Sequence, residues 1–310
     1  MKPLQYKELQ GNWASVALPI NPDDSIDYGR LEEEIDFLVT AGVNGVYTNG
    51  TAGEFYTQNE EEFERVSSLV ACSCEKMHVP FQLGASHMSA QLSLERIKRA
   101  KTFQPGAIQV ILADWFPLTR EETIACLNRM AEVADPIGLV LYNPPHAKRV
   151  LQPEEYSHLK KAVPNLIGIK VADGDSAWYE TMKRHCAELA IFVPGHHLAT
   201  GVMHGAAGSY SNVACLHPVG AQKWYDMMKH DMSQALDVER RIQYFMNDHI
   251  VPFITEQGYS NQALDKLLAA IGDWADIGTR LRWPYRWIPE KEADRLRPIA
   301  REMIPELFPT

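Results

Sequence analysis

The sequence predicts a (β/α)8 barrel with a C-terminal helical extension, and three observations carry that prediction. Eight short apolar runs alternate along the chain with amphipathic stretches. No glycine-rich dinucleotide fingerprint follows an early strand, as a doubly wound sheet would want. After about residue 218 the strand signals stop and only helical periodicity continues.

In chain order the expected strands are 15–18, 45–47, 81–84, 107–112, 138–142, 166–171, 190–193 and 208–212. The helices expected between them include 28–41, 59–74, 89–102, 119–133 and 153–162, several opening on a capping residue and closing near Gly or Pro. Further helices are expected at 221–247, 262–271 and 290–303. The division that follows is a barrel through its eighth strand over 1–217, then a final barrel helix and helical extension over 218–310. Active sites of this fold lie at the C-terminal ends of the strands, so position along a strand acquires functional meaning.

The hydrophobic fraction of 45% and charged fraction of 23% are those of a soluble globular protein. A net charge of −10 argues against nucleic acid and anionic membrane as partners, and leaves room for a small anionic substrate. The N-terminal residues lack an apolar signal region and no window approaches 18 uninterrupted apolar residues, so a cytoplasmic protein is expected. Five scattered cysteines without a C-x-x-C pair read as reduced packing residues. The local basic-aromatic cluster Arg280-Leu281-Arg282-Trp283-Pro284-Tyr285-Arg286-Trp287 reads as a structural or subunit contact.

The sixth run, Leu166-Ile167-Gly168-Ile169-Lys170-Val171, is closed off by Pro164-Asn165 and Asp173-Gly174 and holds a lysine where a buried strand is otherwise apolar. Burial penalises an ammonium ion and pushes it toward the neutral amine, which attacks carbonyls to form a Schiff base. The competing reading is a lysine that snorkels to solvent or pairs with Asp173 or Asp175.

Two loops add chemistry. Asn49-Gly50-Thr51-Ala52-Gly53-Glu54, after the second strand, has glycines flanking a hydroxyl residue, so its backbone N–H groups can converge on an anion. Gly53-Glu54-Phe55 replaces the Gly-Lys-Ser/Thr of a nucleotide loop, which favours a small carboxylate; a tight turn with a helix cap is the alternative. Tyr142-Asn143-Pro144-Pro145 places a phenol at the barrel mouth one βα unit before Lys170, either as proton shuttle or as interfacial packing.

In order and spacing, Gly50-Thr51-Ala52-Gly53-Glu54, Tyr142-Asn143-Pro144-Pro145 and Gly168-Ile169-Lys170 resemble the G-[ST]-[ST]-G-E, Y-N-x-P and G-[IV]-K motifs of the dihydrodipicolinate synthase/N-acetylneuraminate lyase superfamily. The resemblance runs over roughly residues 12 to 300 and includes Gly195 and the Gly205-Ala206-Ala207-Gly208 approach to the eighth strand. It implies a homo-oligomer, tetramer or dimer, without cofactor or metal. It also implies Lys170 as the Schiff-base lysine toward pyruvate or another 2-oxo acid, Tyr142 as proton relay and Thr51 as the hydroxyl that orients it. The Thr51 and Ala52 amides would hold the carboxylate, with Gly50, Gly195, His196 and Tyr210 completing the substrate-binding set.

Departures from the family pattern bear on the substrate. Ala147 stands where dihydrodipicolinate synthases carry an acceptor-binding arginine, with Lys148 and Arg149 beside it. Asp114, in Ala113-Asp114-Trp115-Phe116-Pro117, stands near the place of the relay tyrosine. Ala52 removes one side-chain bond to the carboxylate, and His196 and His197 replace acidic residues after the seventh strand. These changes favour cleavage or dehydration of a 2-oxo-3-deoxy acid over 4-hydroxy-tetrahydrodipicolinate synthesis. A metal-dependent aldolase using His196, His197, His204 and Glu54, and a non-catalytic 2-oxo acid sensor, stand as alternatives.

Overall fold

The computed structural model describes residues 1–309. Strands β1 (Gly11–Ser15), β2 (Gly45–Thr48), β3 (Phe81–Gly84), β4 (Ala107–Val110), β5 (Gly138–Tyr142), β6 (Leu166–Lys170), β7 (Ala190–Phe192) and β8 (Gly208–Ser211) follow one another around a closed parallel barrel. Helices α1 (Tyr28–Thr40), α2 (Glu60–Met77), α3 (Ala90–Thr102), α4 (Arg120–Ala134), α5 (Pro153–Ala162), α6 (Ser176–His185) and α7 (Leu198–Met203) alternate with them. The short α8 (Asn212–Leu216) leaves β8, and α9 (Pro218–Met228), α10 (Met232–Phe245), α11 (Val251–Thr255), α12 (Asn261–Gly272) and α13 (Glu290–Met303) complete the chain.

Local sequence explains where the elements begin. Capping boxes start α2 and α4, through Asn59 with Glu62 and Thr119 with Glu122. Inside the barrel Trp13, Tyr47, Val140, Phe192 and Tyr210 fill a core separate from the larger one between sheet and helices.

Two expected elements are corrected. The first strand is Gly11–Ser15, not 15–18: the apolar residues Val16, Ala17 and Leu18 are buried but lie past the strand's end, where the Ala17 N–H donates to Glu34 Oε1 at 2.8 Å. The true strand is masked by buried Asn12, whose backbone N–H donates to Asn44 Oδ1 at 2.9 Å. The single helix expected over 221–247 is two, because Asp231 caps a new start by accepting from the Gln234 N–H.

The extension returns to the barrel mouth. Helix α12 packs on α8 and α13, and its buried Lys266 pairs with Glu54 of the β2 loop at 2.6 Å. The cations of the basic-aromatic cluster are satisfied internally: Arg280 pairs with Asp24, Arg282 forks onto Glu62, and the Arg286 guanidinium lies over the Tyr259 ring. Among the described residues, no helix is long and apolar enough to cross a membrane.

Candidate active site

Lys170 ends β6 and Tyr142 ends β5, and the parallel register pairs them directly. Equal register turns both side chains to the same side of the sheet. The Lys170 Nζ lies 4.2 Å from the Tyr142 ring centroid, and 5.4 and 5.6 Å from the rings of Tyr47 and Tyr210. Solvent reaches the lysine through a cavity of about 480 Å³ lined by Ser15, Thr51, Ala52, Tyr142, Gly195, His196, Tyr210, Asn212, Cys215, Asn261 and Asp265. The alternative partners of Lys170 are engaged elsewhere: Asp173 with His197 at 3.2 Å, and Asp175 in capping α6.

Lys170 is held above the ordinary lysine value. Burial, the strongest single influence, pulls it down, but Tyr47, Tyr142, Asp265 and Cys215 together pull it up further. The expectation that burial leaves a neutral amine is thereby corrected. The resting lysine is an ammonium, and it must lose a proton before it attacks a carbonyl.

Below the lysine the cavity has an aromatic floor. Tyr210 stacks on Phe192 with centroids 4.4 Å apart and donates its hydroxyl to Gln82 Oε1 at 2.7 Å. Tyr47 accepts from Gln109 Nε2 at 2.9 Å, and burial pushes its phenol up to about 12. Tyr210 thus lines the cavity with its ring, its hydroxyl already committed. Gly50 lines no part of the cavity: a Cβ there would sit 1.4 Å from the Tyr47 hydroxyl, so the missing side chain is what lets the phenol fit.

The β2 loop is a run of turns from Thr51 to Thr57, and α2 begins only at Glu60. The Thr51 and Ala52 N–H groups donate to no acceptor among the described residues, whereas those of Glu54 and Phe55 close back onto Thr51 and Gly50. Two free adjacent amides at the cavity wall suit a carboxylate. Glu54 turns away from the mouth to Lys266 and the Arg282 N–H, which removes it from the metal reading. His204 stacks on Tyr179, and no three His, Cys, Asp or Glu side chains among the described residues are grouped to hold a metal ion.

His196 lines the same cavity. Asn212 Oδ1 accepts from the His196 backbone N–H at 3.2 Å, so its Nδ2 is the donor 2.9 Å from the ring Nδ1. That fixes the ring proton on Nε2. Burial first, then His197, lowers the imidazole to about 4, against the pull of the Asn212 bond. Gly195 permits the arrangement, because a Cβ would meet Ser211 Oγ at 2.5 Å.

Asp114 and Ala147 belong to a second lobe of about 470 Å³, which shares Thr51, Tyr142, Pro144, His146 and Asn261 with the first. Phe55, Tyr56, Met88, Leu112 and Tyr285 give it apolar walls, and Lys148 and Arg149 reach its rim. Arg149 is occupied by Glu155 at 2.6 Å and by the Leu118 carbonyl, so it does not replace the arginine missing at 147. No hydrogen bond joins Asp114 to Tyr142 or Thr51 among the described residues.

Asp265 is the site residue that sequence reasoning missed. It stands in Ala263-Leu264-Asp265-Lys266-Leu267-Leu268, a charged pair inside a helix that is apolar almost all round. That is the same anomaly that singles out Lys170.

A lysine and a tyrosine at adjacent strand ends of a (β/α)8 barrel, beside free loop amides, define the class of carbonyl-condensing barrel enzymes. The chain belongs to the Dihydrodipicolinate synthetase family, whose pattern it matches over residues 8–301. It is 23% identical to N-acetylneuraminate lyase 2 of Escherichia coli O6:H1, with 96% of each chain covered. It is 20% identical to the N-acetylneuraminate lyase of Escherichia coli K12, covering 96% of this chain and 98% of that one. Among solved structures, YagE, a prophage protein of E. coli K12 in complex with pyruvate, superposes with a TM-score of 0.83 at 19% identity, covering 95% and 98% of the two chains. The Ruminococcus gnavus sialic acid aldolase superposes with a TM-score of 0.81 at 21% identity, covering 96% and 99%.

Proposed function

We propose that the protein is a Schiff-base lyase that condenses Lys170 with a 2-oxo acid and makes or breaks a bond at the adjacent carbon. The observation that carries this reading is the direct register of Lys170 with Tyr142 at the barrel mouth, 4.2 Å from amine to ring centroid. Loss of water from the carbinolamine at C2 leaves a protonated imine, which draws electrons from C3 so that a proton or carbon substituent departs to give an enamine. Tyr142 is the proton carrier for the substrate oxygen and the Thr51 and Ala52 amides hold the carboxylate; Thr51 lines the cavity with Tyr142 and is assigned to orient it, although no hydrogen bond joins the two among the described residues.

Membership of the family and the likeness to N-acetylneuraminate lyases support the lyase reading. Within it, cleavage of a 2-oxo-3-deoxy acid is favoured over 4-hydroxy-tetrahydrodipicolinate synthesis, since Ala147 offers no cation and Arg149 is already paired. The neutral His196 suits a hydroxylated leaving group better than a carboxylate. The reading includes a cytoplasmic homo-oligomer, for which the exposed Trp115 and Phe116 provide an apolar face; light scattering in solution tests the assembly.

The functional test is pyruvate release from a panel of 2-oxo-3-deoxy sugar acids, coupled to lactate dehydrogenase. Release that vanishes in Lys170→Ala supports the lyase. A lysine that traps pyruvate while no member of the panel turns over would support a 2-oxo acid sensor instead.

A further inference from the structure

Helix α12 delivers a carboxylate to a cavity whose chemistry needs a proton acceptor. Asn261 and Asp265 stand one turn apart on the same face of α12, and both line the cavity that holds Lys170. The next residue, Lys266, is turned to Glu54, so it does not neutralise Asp265. Asp265 forms no ion pair and accepts no hydrogen bond among the described residues, although it is half-buried in the cavity wall. Its carboxylate oxygens are therefore free for what enters the cavity.

We propose that Asp265 is the base that takes the proton from the Lys170 ammonium and returns it to the hydroxyl that leaves the carbinolamine as water. This rests on the Schiff-base reading. Asp265 first accepts one ammonium proton, leaving a neutral amine and a neutral carboxylic acid. The amine lone pair forms the bond to C2, and one N–H proton passes through Tyr142 to the carbonyl oxygen, giving the carbinolamine. The acid then protonates the hydroxyl, the C–O bond breaks, and the nitrogen lone pair forms the imine. Ammonium and carbonyl have become iminium and water, and the carboxylate is restored. Because carboxylate and ammonium do not pair directly, C2 and its oxygen, or one bridging water, have room between them.

The groups that face Asp265 agree with this role. From the barrel these are Lys170 on β6, Tyr142 on β5 and Tyr210 on β8; His146 lies on the loop after β5, His196 follows β7, Cys215 lies on α8 and Tyr56 on the β2 loop. Burial pushes the tyrosine floor and Cys215 upward, so they are neutral at neutral pH and add their pull on Lys170 only where they ionise, and it lowers His196 to about 4, so it is neutral too. Burial raises Asp265 to about 6, with Lys170 pulling it back, which leaves it ionised at neutral pH.

Trapping of pyruvate with cyanoborohydride, followed by intact mass, tests the inference on wild type, Asp265→Asn and Asp265→Glu. Asp265→Asn is expected to slow adduct formation about 100-fold at neutral pH, and Asp265→Glu to recover part of the loss. The wild-type rate is expected to fall as pH drops through about 6, and the Asn variant to lack that inflection. A carboxylate that merely holds the lysine charged has the opposite effect, since its removal frees the amine. Faster or unchanged trapping by Asp265→Asn therefore overturns the proposal. If that variant does not fold, a wild-type rate that is flat through pH 6 overturns it. Failure of wild type to trap pyruvate at all would instead sink the Schiff-base reading.

Discussion

The two lobes of the cavity are built differently. Around Lys170 the walls come mainly from strand ends and short turns, with α12 closing one side, and several of their polar groups are engaged: Tyr210 on Gln82, Tyr47 on Gln109, His196 on Asn212. Around Asp114 and Ala147 they come from longer loops, with apolar side chains such as Phe55, Leu112 and Tyr285, and a lysine without a partner among the described residues, Lys148. Rigid strand ends suit bond-making, which requires sub-ångström placement, whereas loops suit the part of a substrate that varies between relatives. On the proposed reading the chemistry belongs to the first lobe and selectivity to the second.

The sharpest way to break that division is to disturb the proton traffic in the first lobe. Tyr142→Phe is expected to lower kcat about 10²- to 10⁴-fold and to slow pyruvate trapping, with the full adduct still accumulating on the lysine at long times. No adduct even at long times would assign Tyr142 to binding rather than to proton transfer.

A second prediction concerns how firmly the first lobe is held. The folded His196 takes a proton near 4 and the unfolded residue near 6.5, so between those values the unfolded state binds more protons. Stability then falls as pH drops from 6.5 toward 4, by about 3 kcal/mol from this residue. Urea unfolding of wild type and His196→Gln across that window measures it, with the variant losing less. Equal losses would mean that His196 is not buried in neutral form.

The smallest expected effect lies in the second lobe. Ala147→Arg adds a cation beside Lys148 and is expected to lower KM about tenfold for substrates with a distal carboxylate, leaving kcat for neutral ones unchanged. A change in kcat for both kinds would show that the lobes are not separable.

The same contrast explains what the sequence made legible. Strand-end chemistry is readable because a lysine in an apolar run, or a phenol before two prolines, violates the local pattern, and the barrel turns each violation into a position. Strands β2 to β8 are readable because short apolar runs between turn residues define them well. β1 is not, because the polar Asn12 meets Asn44 and Gln222, distant partners that no local window contains. Asp265 was missed because α12 belongs to the extension, and nothing in the sequence shows that it returns to the mouth. The charge state of Lys170 was misjudged because burial is a local inference, while the groups that oppose it come from β2, β5, α8 and α12.

The central claim is that Lys170 condenses with a 2-oxo acid. Peptide mapping after cyanoborohydride treatment with pyruvate tests it most directly. The account predicts one adduct, on the peptide containing Lys170, heavier by the mass of pyruvate less one oxygen and absent from Lys170→Ala. No adduct in wild type, or the same adduct in Lys170→Ala, would contradict it.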